Sequence, residues 1–164
     1  MTVSIETLTS ESYEEDDLSG IPELVVVIAL QAWGPTEAAR AIRKKLKYGN
    51  VHRQLRALVI LDGLIQNAGG RFQRCFCDEA LLERLRVCGT AGTSHPEVRR
   101  KCDELFRGWA QFKGKDGMKG VASLYKVGCW VSLLFGVWCL SHADRLCCSN
   151  SRGERRPSRR KSQR

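Results

Sequence analysis

The stretch Asn50-Val51-His52-Arg53-Gln54-Leu55-Arg56-Ala57-Leu58-Val59-Ile60-Leu61-Asp62-Gly63-Leu64-Ile65-Gln66-Asn67-Ala68-Gly69 decides how the rest of the chain is read. Leu55, Ala57, Leu58, Val59, Leu61 and Ile65 recur at helical spacing. They cover nearly the whole circumference and leave only the side of Arg53, Arg56, Asp62 and Gln66 polar. A helix apolar over so much of its surface needs neighbours on more than one face, so this one is expected at the centre of a helical assembly. Asn67-Ala68-Gly69-Gly70 supplies the glycine stop at its end.

The flanking sequence fits that expectation. Upstream, Val3–Leu8 is a short apolar-polar segment, and an acidic linker runs from Glu11 to Asp17. Gly20-Ile21-Pro22 opens a second helix with proline near its first position, and Leu24, Val25, Val27 and Ile28 give that helix an apolar stripe. Pro35 opens a third, reaching about Tyr48. On it Ala38, Ala39, Ile42 and Leu46 face inward, while Arg40, Arg43, Lys44, Lys45 and Lys47 face out. Gly49-Asn50 is a turn. Downstream, Phe72–Phe76 starts a short fifth helix, and Asp78 caps a sixth carrying Leu81, Leu82, Leu85 and Val87. Gly89–Ser94 reads as a loop. His95-Pro96 opens a seventh helix with Val98, Cys102, Leu105, Phe106, Trp109 and Phe112 inward, and Val121 to Tyr125 hints at an eighth. Strand periodicity is almost absent from residues 1–126, and the body reads as all-α.

Charge and composition narrow the function classes. The 164 residues carry a net charge of +9, unevenly spread. Residues 1–34 hold seven acids and no lysine or arginine, whereas residues 35–126 hold 19 basic and nine acidic residues. Basicity split between a helical body and a tail, with no helix-turn-helix, zinc-finger or RNA-recognition signature, argues against a nucleic-acid partner. An acidic N-terminus without an apolar core is not a secretory signal, so the eight cysteines are expected as free thiols in a reducing compartment. Cys75-x-Cys77 and Cys147-Cys148 lack the spacing of a zinc site. His52, His95 and His142 are scattered, and Gly69-Gly70 is not followed by a phosphate-loop lysine. No catalytic residue, metal or cofactor is indicated.

Gly34-Pro35-Thr36-Glu37-Ala38-Ala39-Arg40-Ala41-Ile42-Arg43-Lys44-Lys45-Leu46 resembles the third-helix motif of VHS domains, and Asn50–Gly69 resembles their fourth helix. Phe72, Val98-Arg99, Leu105-Phe106 and Trp109 fall where the family keeps its fifth and seventh helices. The similarity covers roughly residues 3–126 and is strongest toward the fungal VHS–GAT adaptors that link endocytosis to cortical actin. It implies a right-handed superhelix of about eight helices and a cytoplasmic, non-enzymatic adaptor of vesicle traffic. Such an adaptor is peripheral to the endosome, the plasma membrane or the cortical actin patch, with endocytic and actin-regulatory partners. It also implies truncation before a GAT domain.

Two surfaces follow from the resemblance. Many members bind ubiquitin on the second and fourth helices, which maps here onto Leu18, Ile21, Asp62, Gly63 and Gln66. Leu18 stands where many carry an aromatic residue. Several members sit on membranes through basic faces. Arg40, Arg43, Lys44 and Lys47, at i, i+3, i+4 and i+7, line one side of the third helix, with Arg53 and Arg56 on the next, as candidates for a phosphoinositide or other anionic lipid. The alternatives are a lipid-binding module without ubiquitin recognition and a truncated structural fragment.

The domain is therefore expected to span residues 1–126. Residues 127–164 differ in character: Val127–Ala143 is uncharged, and an arginine-rich end follows. That segment reads as an extension of the eighth helix, as a tail anchor, or as sequence that is not native coding sequence, and it is set apart from the fold. If the Asn50–Gly69 helix is central, Leu58→Ala or Leu61→Ala costs about 2–5 kcal/mol, read as a fall in melting temperature; an unchanged melting temperature in both variants would refute the central placement.

Overall fold

A computed structural model describes residues 2–67, 69–76, 78–115 and 117–126. Among these the chain is all-helical: α1 (Thr2–Leu8), α2 (Ile21–Leu30), α3 (Gly34–Tyr48), α4 (Val51–Asn67), α5 (Gly69–Phe76), α6 (Glu79–Thr90), α7 (Pro96–Trp109), a 3₁₀ turn (Ala110–Gly114) and α8 (Lys119–Ala122). The tail after residue 126, and Cys77, lie outside the described residues.

Local chemistry sets the boundaries. Gly20, immediately before α2, sits at φ 75°, and a Cβ there would come 2.6 Å from the Leu8 side chain. The residue thus satisfies both a left-handed backbone and a close packing contact. Asn50 caps α4, its Oδ1 accepting from the Arg53 amide at 2.9 Å. Asp78 caps α6, accepting from the Ala80 amide at 3.2 Å. Proline stands in the first turn of α2, α3 and α7. Three boundaries differ from the sequence reading. Helix α6 continues to Thr90 instead of ending at Gly89, α5 begins at Gly69 instead of Phe72, and Phe112 lies in the 3₁₀ turn after α7. Each difference is a turn or less at a helix end, where local propensity is weakest.

Helix α4 is central. Residues 55–61 are buried without a break, and the helix packs against α2, α3, α5 and α7. Helix α3 forms the second hub, touching α1, α2, α4, α5 and α6. Where α2 crosses α4, Gly63 permits the contact: a Cβ there would fall 2.8 Å from Ile21 Cγ2. Cys88 and Cys102 are buried in the α6–α7 interface, and burial pushes both thiols up.

One residue of the apolar helix is a correction to the sequence reading. Arg56, grouped there with the polar side of α4 and the basic face, is 0% exposed. Its Nε donates to the Leu8 carbonyl at 3.0 Å, and its Nη1 donates to the carbonyls of Glu15 and Asp17. The guanidinium also stacks over Tyr13, 5.4 Å from the ring centroid. It ties the end of α1 and the acidic linker onto α4. Burial lowers the Arg56 pKa, and nearby Asp17 opposes that effect. Asn50, which donates to Glu11 at 2.9 Å, and His52, whose ring lies 3.2 Å from the Ser10 carbonyl, add to the same seam.

Arg56→Ala strips charge-assisted hydrogen bonds from three buried or half-buried carbonyls and leaves a gap beneath the linker. We expect a loss of about 2–4 kcal/mol, with hydrogen exchange accelerating at the amides of residues 9–20 more than at α7. Uniform acceleration throughout would show that Arg56 acts on the whole core and not on this seam.

Candidate binding faces

The inner side of α2 is fully spent. Ile21, Leu24 and Ile28 are buried, and Ile21 at 3% exposure lies against Gly63. Ile21, expected as a ubiquitin contact, is therefore a core residue, and Gly63 is its packing partner. Asp62 is also committed. One carboxylate oxygen accepts from Trp109 Nε1 and the other from Gln66 Nε2, both at 2.7 Å. Of the five residues expected there, Leu18 and Gln66 remain exposed, flanking the Ile21–Gly63 contact.

The opposite side of α2 carries what the sequence reading missed. Pro22, Val26 and Leu30 follow at intervals of four and share one exposed face, with Trp33 just beyond the helix end. Val26 is 58% exposed, Leu30 81% and Trp33 77%. The signal was present in the sequence: Leu24 to Leu30 contains no polar residue, more apolar surface than one buried stripe uses.

The basic residues of α3 divide differently from expectation. Lys45 is a correction. Read as facing out, it is buried, and its ammonium donates to Glu6 at 2.7 Å, joining α3 to α1. Arg40, Arg43, Lys44 and Lys47 do line one open groove of about 620 Å³, between α3 and α6. Arg84 supplies a further cation from the α6 wall, its Nε and Nη2 donating to the Leu46 carbonyl at 3.1 and 2.7 Å. Arg53 is exposed but outside the groove, and Arg56 is withdrawn into the core. Among the described residues, Arg43, Lys44 and Lys47 have no acidic group within ion-pair distance, whereas Arg40 pairs with Glu37 at 3.1 Å. Lys47 lies over the Tyr48 ring at 4.8 Å and lowers the pKa of its phenol.

The sequence profile of the VHS domain matches residues 1–127, which include the GPTEA turn that opens α3 and the central α4. The chain belongs to the VHS domain family. It is 41% identical over 125 residues to protein lsb5 of Schizosaccharomyces pombe, a match covering 76% of this chain and 41% of that protein. It is 33% identical over 102 residues to LAS seventeen-binding protein 5 of Saccharomyces cerevisiae, covering 56% of this chain and 28% of the relative. A third similarity, 27% over 126 residues, is to the mouse Target of Myb1 membrane trafficking protein, covering 74% of this chain and 26% of that one. This VHS chain thus matches less than half the length of each of these relatives. Among its described residues no helix is long and apolar enough to cross a membrane, and no group of histidine, cysteine, aspartate and glutamate side chains could hold a metal.

The Glu6–Lys45 pair of this VHS fold has a pH signature. The hydrogen bond from Lys45, then its charge, holds the Glu6 carboxyl below its ordinary range. A carboxylate depressed in the native state contributes stability above its unfolded pKa and loses it as pH falls through the native value. The melting-temperature gap between the wild type and Glu6→Gln is therefore expected to be open at neutral pH and to close on acidification. A gap independent of pH would show that the Glu6 charge contributes nothing.

Proposed function

We propose that this VHS chain is an adaptor module of endocytic and endosomal traffic that holds ubiquitin-bearing cargo weakly through the outward side of α2. The observation that carries this reading is the exposure of Val26 and Leu30 on one face of α2, with exposed Trp33 just after the helix and Leu18 just before it. Apolar side chains aligned on one helix face and left in water are costly unless a partner covers them, and tryptophan is the residue type that most often dominates such contacts. The row is short and rimmed by solvent, which suits weak, reversible capture. Leu18 and Gln66 complete its edge in this reading, while Ile21 and Gly63 fix α2 against α4 and Asp62 ties α4 to Trp109 of α7. By analogy with LAS seventeen-binding protein 5, named for a protein that it binds, endocytic and actin-regulatory proteins belong among the proposed partners.

A second reading stands beside the first: docking on anionic membrane through the basic side of α3. Its support is that Arg43, Lys44 and Lys47 have no acidic partner among the described residues, although the chain carries seven acids in residues 1–34. Of those acids, Glu6 pairs with Lys45 and Asp16 with Lys101, and the Asp17 carboxylate accepts from Ser19.

Titration of the isotope-labelled full chain with unlabelled ubiquitin tests the first reading by NMR. Shifts are expected to gather at residues 22–33 and at Gln66. Leu30→Ser with Trp33→Ser is expected to weaken binding at least about tenfold while leaving the melting temperature unchanged, because both side chains are exposed. A well-dispersed spectrum that does not respond to ubiquitin would overturn it.

A further inference from the structure

We propose that Ser12, in the acidic linker between α1 and α2, is a phosphorylation site for an acid-directed serine kinase, and that Arg53 of α4 receives the phosphate. Such a modification acts on the seam between the linker and α4, apart from both binding faces described above.

Ser12 is singled out first by its neighbours. It is followed by Tyr13-Glu14-Glu15-Asp16-Asp17, which puts carboxylates at the second to fifth positions after the hydroxyl. An acid three residues after a serine, with more acids around it, is the charge pattern that a kinase with a basic substrate groove selects. The third residue after Ser10 is Tyr13 and after Ser19 is Pro22, so the neighbouring serines lack that acid. The fold separates them further. Ser12 is exposed and its hydroxyl has no hydrogen bond among the described residues, whereas Ser10 is half-buried and the Ser19 hydroxyl donates to Asp17 at 2.8 Å. Glu14, Glu15 and Asp16 are exposed as well, so an approaching enzyme meets the hydroxyl and the carboxylates together. Tyr13 is half-buried, with the Arg56 guanidinium over its ring.

The transfer is balanced by a nucleoside triphosphate. Ser12 Oγ bonds to the γ-phosphorus, and the bond from that phosphorus to its bridging oxygen breaks. The nucleoside diphosphate leaves, and the hydroxyl proton passes to the base of the kinase.

The receiving side is built on α4. The Tyr13 amide donates to the Ser10 carbonyl at 3.3 Å, making a turn with Ser12 at its third position. Two side chains at the start of α4 pin that turn: Asn50 donates to Glu11 at 2.9 Å, and the His52 ring lies 3.2 Å from the Ser10 carbonyl. Arg53 stands three residues after Asn50 on the same side of the helix. It is exposed and has no acid within ion-pair distance among the described residues. Together with Lys45 and Lys44, its charge lowers the Glu6 carboxyl of α1, so Arg53 lies toward the α1 side. A phosphoserine brings about −1.5 to −2 charges and three acceptor oxygens, which suit a guanidinium fork. The linker acids repel the added charge, an effect reduced where Asp16 pairs with Lys101 at 3.0 Å and Glu15 lies 3.7 Å from His52. The phosphate–Arg53 pair thus locks the linker onto α4, beside the clasp of Arg56.

Incubation of the purified full chain with casein kinase 2 and ATP, followed by peptide mass spectrometry, tests the acceptor. One phosphate is expected on Ser12 and none in the linker of Ser12→Ala, with incorporation at least about tenfold slower in Glu15→Gln. Phosphate found only elsewhere, or a chain that stays unmodified while a peptide of residues 7–20 is labelled, would overturn the site. Hydrogen exchange of the phosphorylated chain tests the receiver. The amides of residues 9–20 are expected to exchange about tenfold more slowly than in the unmodified chain, and Arg53→Gln is expected to remove that slowing. Lys113→Gln, which deletes a charge from an exposed position on the 3₁₀ turn, is expected to retain it. Melting temperatures confirm that each variant folds. Faster exchange after phosphorylation, or slowing that survives Arg53→Gln, would overturn Arg53 as the receiver.

Discussion

The guanidinium of Arg56 is the constraint on which the arrangement of this VHS domain turns. A fully buried cation is tolerable only if its surroundings replace water; three main-chain carbonyls from α1 and the acidic linker do so for Nε and Nη1, while Nη2 is buried without a hydrogen-bond partner among the described residues. Because those carbonyls lie 39 to 48 residues away in sequence, the interaction is also a long-range tie. It fixes where the linker crosses α4, and therefore where Gly20 turns and where α2 begins. The position of α2 in turn decides which of its residues face the core and which face water.

The same clasp explains how a chain of mixed charge presents a strongly basic face. Three acids of residues 1–34 lie against basic residues outside the α3–α6 groove. Asp17 lies beside Arg56, Glu6 engages buried Lys45, and Asp16 engages Lys101 on α7 at 3.0 Å. On α3 this leaves Arg43, Lys44 and Lys47 without counter-charges, opposite Arg84. The basic groove is thus a consequence of where the acidic linker is held, and the apolar row of α2 lies on a separate side of the chemistry. One of these faces is apolar and exposed, and the other is basic and concave.

Much of this was legible in the sequence because it depends on residues close together in the chain. The central α4, the starts of α2, α3 and α7 at prolines, the cap at Asp78 and the inward face of α7 all follow from helical periodicity and capping chemistry within a few residues. So did the α3 cations, since i, i+3, i+4 and i+7 share a face whatever the helix packs against. The candidate ubiquitin face was only partly legible. Leu18 and Gln66 were placed on the surface correctly, but Ile21, Asp62 and Gly63 were not free, because Ile21 packs on Gly63 where α2 crosses α4 and Asp62 is bonded to Trp109 of α7.

What the sequence determined by itself was therefore the number and kind of helices, the central place of α4 and the sign of the charge on α3. Only the tertiary structure decided how individual polar residues are used. Arg56 and Lys45 look like surface cations in a helical pattern and become internal ties. Arg84 sits on another helix and becomes part of the α3 groove. Trp33 lies past the end of α2, directly before α3, and is left exposed. The physical reason is range: a helix pattern records which residues share a face, whereas the partner that neutralises, buries or leaves a charge open comes from a segment some 40 residues away and is set by packing alone.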